Sequence, residues 1–216
     1  MSDANHGGDS HDELTYRGAA TALQADDALG PVVERHAPLR LDPSDGLYRR
    51  LVVSILRQQV SMASAAATRE RLFGAVDVTP EGVLAADRTT LRGAGLSRQK
   101  TRYVRAAAET FLAEGYDKSS LEGRSDEGIV DALTAITGVG PWTARMQLLF
   151  IFGRPDVFPV GDLGIRKGMR TLFGDLSRER MVEQADRWRP YRSYASLYLW
   201  RTGEDIARSV DEVTEG

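Results

Sequence analysis

The chain has 216 residues, a formal net charge of −3 and no cysteine. That length allows one large domain or two small lobes with a real core. The missing cysteines exclude disulfides, thiolate zinc sites and cysteine-bound iron–sulfur clusters. No run approaches the roughly 18 apolar residues of a membrane helix. The polar, acidic start (Asp3, Asp9, Asp12, Glu13) lacks the basic region of a signal peptide, so a cytoplasmic protein is expected.

The charge is spread unevenly. Residues 1–45 hold nine acids and three bases, and residues 203–216 hold five acids and one base. The body between them therefore carries a net charge of about +7, nearly all of it arginine. A basic body between acidic ends is compatible with a focused DNA-binding face, and equally with a solvated mixed surface.

In chain order, residues 1–12 read as a disordered acidic tail. Residues 13–45 read as N-terminal helices, with a first run at about 14–29 that includes Leu14, Ala19 and Leu23. A strong helix is predicted over 44–58, with Leu47, Leu51, Val52, Ile55 and Leu56 on a broad apolar face. Ser61 fits the N-cap of an alanine-rich helix to about Phe73. Short helices after Thr79-Pro80 lead to Gly93-Ala94-Gly95-Leu96-Ser97, and Ser97 would cap a helix over 98–114. A polar break at Gly115–Gly123 precedes a helix at 126–136, and further helices are expected at 162–173, 178–188 and 193–207. No strand is predicted, and the fold class is all-α.

The most informative stretch runs from Leu133 to Asp162. Ile129, Leu133 and Ile136 share one helical face, the pattern breaks at Thr137-Gly138-Val139-Gly140-Pro141, and helical spacing resumes with Ala144, Leu148 and Ile151. The two glycines can take positive φ or allow a close backbone approach, Val139 plugs the turn, and Pro141 suits the first position of a new helix. Such a turn presents backbone N–H groups at a helix N-terminus, where an anion such as a phosphate binds. An ordinary turn between two helices is the plain alternative for a bare G-x-G.

The longer run L-x-x-I-x-G-V-G-P-W-T-A, followed by Phe158-Pro159-Val160-Gly161-Asp162, resembles the helix-hairpin-helix base-excision DNA glycosylase superfamily. Within it, Trp188-Arg189-Pro190-Tyr191-Arg192-Ser193-Tyr194-Ala195 and Trp200 resemble the 3-methyladenine DNA glycosylase II branch. The likeness covers roughly 44–202. It implies two helical lobes with an active-site cleft between them: 46–153 as one, and 154–216 with the N-terminal helices as the other. The branch's frequent N-terminal β domain is not expected, making this a short form.

The resemblance implies roles residue by residue. Asp162 stands where the family carries its catalytic carboxylate, which stabilises an oxocarbenium-like sugar or activates water. An N-cap role for Asp162 is the simpler reading, and the two are compatible. Trp142 occupies the position where bifunctional relatives carry a Schiff-base lysine, so a monofunctional glycosylase without strand nicking is expected. Trp142, Trp200, Met146 and Tyr191 would line the base pocket, where electron-rich rings suit a cationic alkylated purine. Met146 departs from an aromatic found in some family members, and core packing is the alternative for several of these side chains.

Gln58 and Gln59 close a helix where the family places its DNA wedge. Gln59 fits the wedge by position, with solvated helix-end glutamines as the alternative. DNA contacts are expected from Gly138, Val139, Gly140, Thr143, Arg145, Arg166 and Lys167. Gly93–Ser97 with Lys100 also resembles a family segment; a structural turn is the better reading there, with a phosphate contact as the alternative. No catalytic metal is expected; the resemblance implies at most a structural sodium or potassium ion on the hairpin carbonyls of Thr137–Gly140.

The implied function is monofunctional excision of alkylated purines, 3-methyladenine and 7-methylguanine, from double-stranded DNA by a monomer in base excision repair. Three rivals stand beside it: a glycosylase of the same fold acting on uracil, thymine mismatches or oxidised bases, a non-catalytic helix-hairpin-helix DNA-binding module, and a helical scaffold without DNA, which would show no salt-dependent DNA affinity.

Overall fold

The computed structural model of the chain describes residues 7–36 and 38–202. Among them are thirteen α-helices and one 3-10 turn, with no strand. The fold is all-α, as the sequence predicts. The chain divides into two compact units, one formed by residues up to Asp42 together with Arg154 onward, the other by Pro43–Gly153.

The discontinuous unit begins with α1 (Gly7–Gln24) and α2 (Gly30–Arg35). Helix α1 starts at Gly7, so residues 7–12 are helical where a disordered tail was expected. Once a helix has nucleated on a packed face such as that of Ala19 and Leu23, extending it by a residue costs little. Residues 1–6 lie outside the described residues. The run expected to continue to 29 stops at Gln24, because the Asp26 carboxylate accepts from the N–H groups of Ala28 (3.0 Å) and Leu29 (2.9 Å) and turns the chain.

The contiguous unit contains α3 (Leu47–Arg57), α4 (Met62–Ala75), α5 (Pro80–Ala85), α6 (Arg88–Gly93), α7 (Arg98–Glu114), α8 (Lys118–Glu122), α9 (Asp126–Thr134) and α10 (Pro141–Phe150). Helix α3 is its axis, packing on α4, α7 and α10. Leu51, Val52 and Ile55 are fully buried there. Arg50 is buried as well, stacked over the Phe150 ring at 4.6 Å, and burial pulls its guanidinium down to about 10.

Helix starts in this unit follow capping chemistry. Ser61, Thr79, Ser97 and Ser125 each accept a backbone N–H three residues on. The polar stretch 115–123, read as a break, holds the short helix α8, closed by a reciprocal capping box between Asp117 and Ser120.

The discontinuous unit resumes with α11 (Leu163–Phe173), α12 (Arg178–Ala185), a 3-10 turn at Asp186–Trp188, and α13 (Arg192–Trp200). The last helix, expected to reach 207, ends at Trp200, and 203–207 lie outside the described residues. Two glycines one turn apart, Gly164 and Gly168, let α11 and α13 approach closely. A Cβ on Gly168 would lie 2.5 Å from the backbone oxygen of Leu199.

The irregular segment before Asp162 is strapped to the start of α13. Fully buried Ser193 accepts from the Val157 N–H (2.9 Å) and donates to the Arg154 carbonyl (2.5 Å), while its own N–H donates to Pro155 O (3.0 Å). Arg192 grips Asp156 with Nε on Oδ1 (2.7 Å) and Nη2 on Oδ2 (3.0 Å), and Arg189 adds a bond to Oδ2 at 2.8 Å. Replacing Ser193 by Ala strands a buried N–H. The expected loss is about 1–3 kcal/mol of stability, read by denaturant unfolding.

Candidate functional site

The hairpin after α9 closes with the Val139 N–H on Ile136 O at 3.0 Å, and Val139 is buried as the expected plug. The two glycines do different jobs. Gly138 has φ +91°, and the Tyr103 ring fills the space where a Cβ would stand. Gly140, which was also expected to be free for positive φ, is extended at φ −96°, ψ 172°. It serves as the N-cap of α10, with Pro141 next and its carbonyl accepting from Ala144 N–H at 3.0 Å. The first-turn N–H groups of α10 therefore gather at this turn, at the positive end of the helix dipole.

Gln58 is tied into the hairpin. Its Nε2 donates to Gly138 O at 3.0 Å and reaches Thr143 Oγ1 at 3.5 Å. Gln59, the residue read as the wedge, is exposed and holds φ +59°, rare for a residue with a side chain. Gln59 lines a groove of about 430 Å³ with Ser64, Gly95, Lys100, Tyr103 and Gly138. Three segments far apart in sequence thus meet at one surface: the end of α3, the turn before α7 and the hairpin. Lys100 has a role the sequence did not reveal. Its Nζ donates to Leu56 O at 2.5 Å, satisfying a carbonyl at the end of α3, and burial lowers its amine below the ordinary range. Of the remaining hairpin residues, Thr143 and Met146 are buried, while Trp142 and Arg145 are half-buried.

In the discontinuous unit, half-buried Asp162 is the N-cap of α11, as the simpler reading had it. Its Oδ1 accepts from Ile165 N–H at 3.0 Å and also from the indole Nε1–H of Trp200 at 2.8 Å. Trp200 is only 6% exposed. Tyr191 is half-buried and meets Tyr194 edge-on at 6.4 Å. Arg166 folds back so that Nε donates to Asp162 O at 3.4 Å, and Lys167 is exposed. The structure thus groups Gln58, Gly138 and Thr143 in one unit, and Asp162, Trp200 and Arg166 in the other. Sequence reasoning missed the Ser193 strap and the close approach at Gly164; the G-x-x-x-G spacing of Gly164 and Gly168 was the available signal for the second.

The family model of the HhH-GPD superfamily base excision DNA repair protein matches residues 52–191. A Bacillus subtilis protein named as a putative DNA-3-methyladenine glycosylase is 33% identical over 82% of this chain and 66% of its own length. DNA-3-methyladenine glycosylase 1 of Schizosaccharomyces pombe is 29% identical over 82% of this chain and 81% of its own. Among solved structures, a DNA-3-methyladenine glycosidase from Bacillus halodurans superposes with a TM-score of 0.74 at 32% identity, covering 87% of this chain and 89% of that one. The S. pombe 3-methyladenine DNA glycosylase in complex with abasic DNA gives a TM-score of 0.78 at 28% identity, over 86% and 96%. This chain belongs to the HhH-GPD superfamily of base excision DNA repair proteins.

Gly138→Ala forces a Cβ into a positive-φ position and against Tyr103, and is expected to cost about 1–3 kcal/mol. Pairing it with Tyr103→Ala removes the clash but leaves the backbone strain. Relative to Tyr103→Ala alone, the glycine replacement should then cost less in denaturant unfolding than it does in the wild type.

Proposed function

We propose that the protein is a monofunctional DNA glycosylase that releases alkylated purines, 3-methyladenine and 7-methylguanine, from double-stranded DNA. The observation that carries the proposal is the Asp162 carboxylate, held at the start of α11 by two N–H donors in a chain of the base-excision family. The activities for which the relatives are named support the substrate class, and the abasic DNA bound to the S. pombe enzyme supports the product.

As the bond between C1′ and the base lengthens, positive charge develops on the sugar. A fixed carboxylate at Asp162 stabilises that charge without reorganising, and can take a proton from the attacking water. An alkylated purine is itself cationic and leaves readily, so recognition falls to electron-rich faces such as the Trp142 ring. With an indole in place of an amine at Trp142, no Schiff base forms there and the abasic strand stays intact.

Phosphates are gripped by the first-turn N–H groups of α10 beside Gly138–Gly140, helped by Arg145, Arg166 and Lys167, while Gln59 enters the stack. A monovalent cation on the carbonyls of Thr137–Gly140 belongs to the same proposal and would add positive charge beside a phosphate. Carbonyl oxygens are fitting donors for it, and Gly138 O, which accepts from Gln58, has a second lone pair to give. The protein would act as a cytoplasmic monomer.

The test is base release from methylated duplex DNA by wild type and Asp162→Asn, with strand nicking scored in parallel. Wild type should release base and leave the strand whole until alkali is added, and the variant should lose about 100-fold or more in rate. Release that survives the substitution removes Asp162 from the mechanism. Binding without release from methylated DNA removes the alkylated substrates, and a panel of uracil, mismatched and oxidised lesions then separates another substrate from a binding module.

A further inference from the structure

Trp200 was read as a wall that stacks on a flipped base, but its surroundings give the indole a different task. Only 6% of it is exposed, which leaves little ring face for a base, and its Nε1–H points at Asp162 Oδ1 from 2.8 Å. The same oxygen accepts the Ile165 N–H at 3.0 Å. Two donors from two helices on one oxygen fix the rotation of the carboxylate about its Cβ–Cγ bond, and with it the direction of Oδ2. A charge-stabilising group works by being aimed before the reaction begins.

The approach of the indole depends on a missing side chain. A Cβ on Gly164 would stand 2.6 Å from Cδ1 of Trp200, 2.9 Å from its Nε1 and 3.1 Å from Asp162 Oδ1. Gly168, one turn later, brings the backbone of α13 against the same helix face. We propose that Trp200 is a positioning residue for the Asp162 carboxylate and that Gly164 is the opening that admits its indole N–H. The proposal rests on the catalytic reading of Asp162.

Phenylalanine at 200 keeps an aromatic face and removes the N–H donor, with some loss of ring volume. Single-turnover base release from methylated duplex should therefore fall about tenfold or more in Trp200→Phe, while DNA affinity stays at the wild-type level. Gly164→Ala should lower the rate in the same way although it removes no functional group. In an Asp162→Asn background neither change should lower the rate further, since residues acting as one unit are not additive. Wild-type rate in Trp200→Phe, with Asp162→Asn inactive, overturns the positioning role and leaves the functional reading standing. Wild-type rate in Gly164→Ala overturns the part given to the glycine.

A second readout needs no activity. The protein has three tryptophans, so the Trp200 indole N–H resonance is identified by its disappearance in Trp200→Phe. It should move upfield in Asp162→Ala, as the bond to the carboxylate is lost. If Asp162→Asn retains base release, the catalytic reading fails on its own account. An indole resonance unmoved by Asp162→Ala overturns the proposed contact itself.

Discussion

One carboxylate oxygen ties α11 to α13 in the discontinuous unit. Asp162 Oδ1 takes a backbone N–H from the first turn of α11 and an indole N–H from the last residue of α13. For both bonds to exist, α11 and α13 must lie close together, which the glycines at 164 and 168 permit. The segment leading to Asp162 must also be held still, which Ser193 and Arg192 do from the opposite end of α13. Helix α13 thus serves the carboxylate at both ends, fastening the approach with its first turn and the side chain with its last.

The hairpin obeys a parallel logic in the contiguous unit. Its conformation is set less by the glycines themselves than by what packs against them. Tyr103 from α7 occupies the space left open at Gly138, and Gln58 at the end of α3 holds the same residue's carbonyl. A backbone turn that offers N–H groups to an anion is useful only if those groups do not have to be gathered first. Two side chains from two other helices supply that fixity.

Much of this was legible in the sequence, for identifiable reasons. Helices with a Ser, Thr or Asp at the cap, such as those after Ser61 and Ser97, start where predicted because capping is a local signal. Asp162 was legible because its distance from the glycine hairpin is a pattern of the family and its N-cap geometry a property of the residue. The rest was hidden because it depends on partners far away in the chain. Lys100 capping Leu56 O, Tyr103 beneath Gly138 and Trp200 on Asp162 each join side chains to groups that no local window contains. The stretch 115–123 misled for the opposite reason: a capping box can sustain a helix of five residues too short to show a period.

The division of the chain has a consequence for its biosynthesis. The contiguous unit holds all of its own helices between Pro43 and Gly153, so it can collapse as soon as that stretch leaves the ribosome. The other unit cannot. The apolar face of α1, with Ala19 and Leu23, is made before the contiguous unit and packs on α13, which is made after it, and Leu39 N–H waits for a hydroxyl on Tyr198, 159 residues further on. Helices α1 and α2 find each other at once, but the part of α1 that faces α13 is covered only after the contiguous unit has been made. Until then the α13-facing side of α1 stays uncovered, and the unit that carries Asp162 is the one that depends on synthesis reaching Trp200.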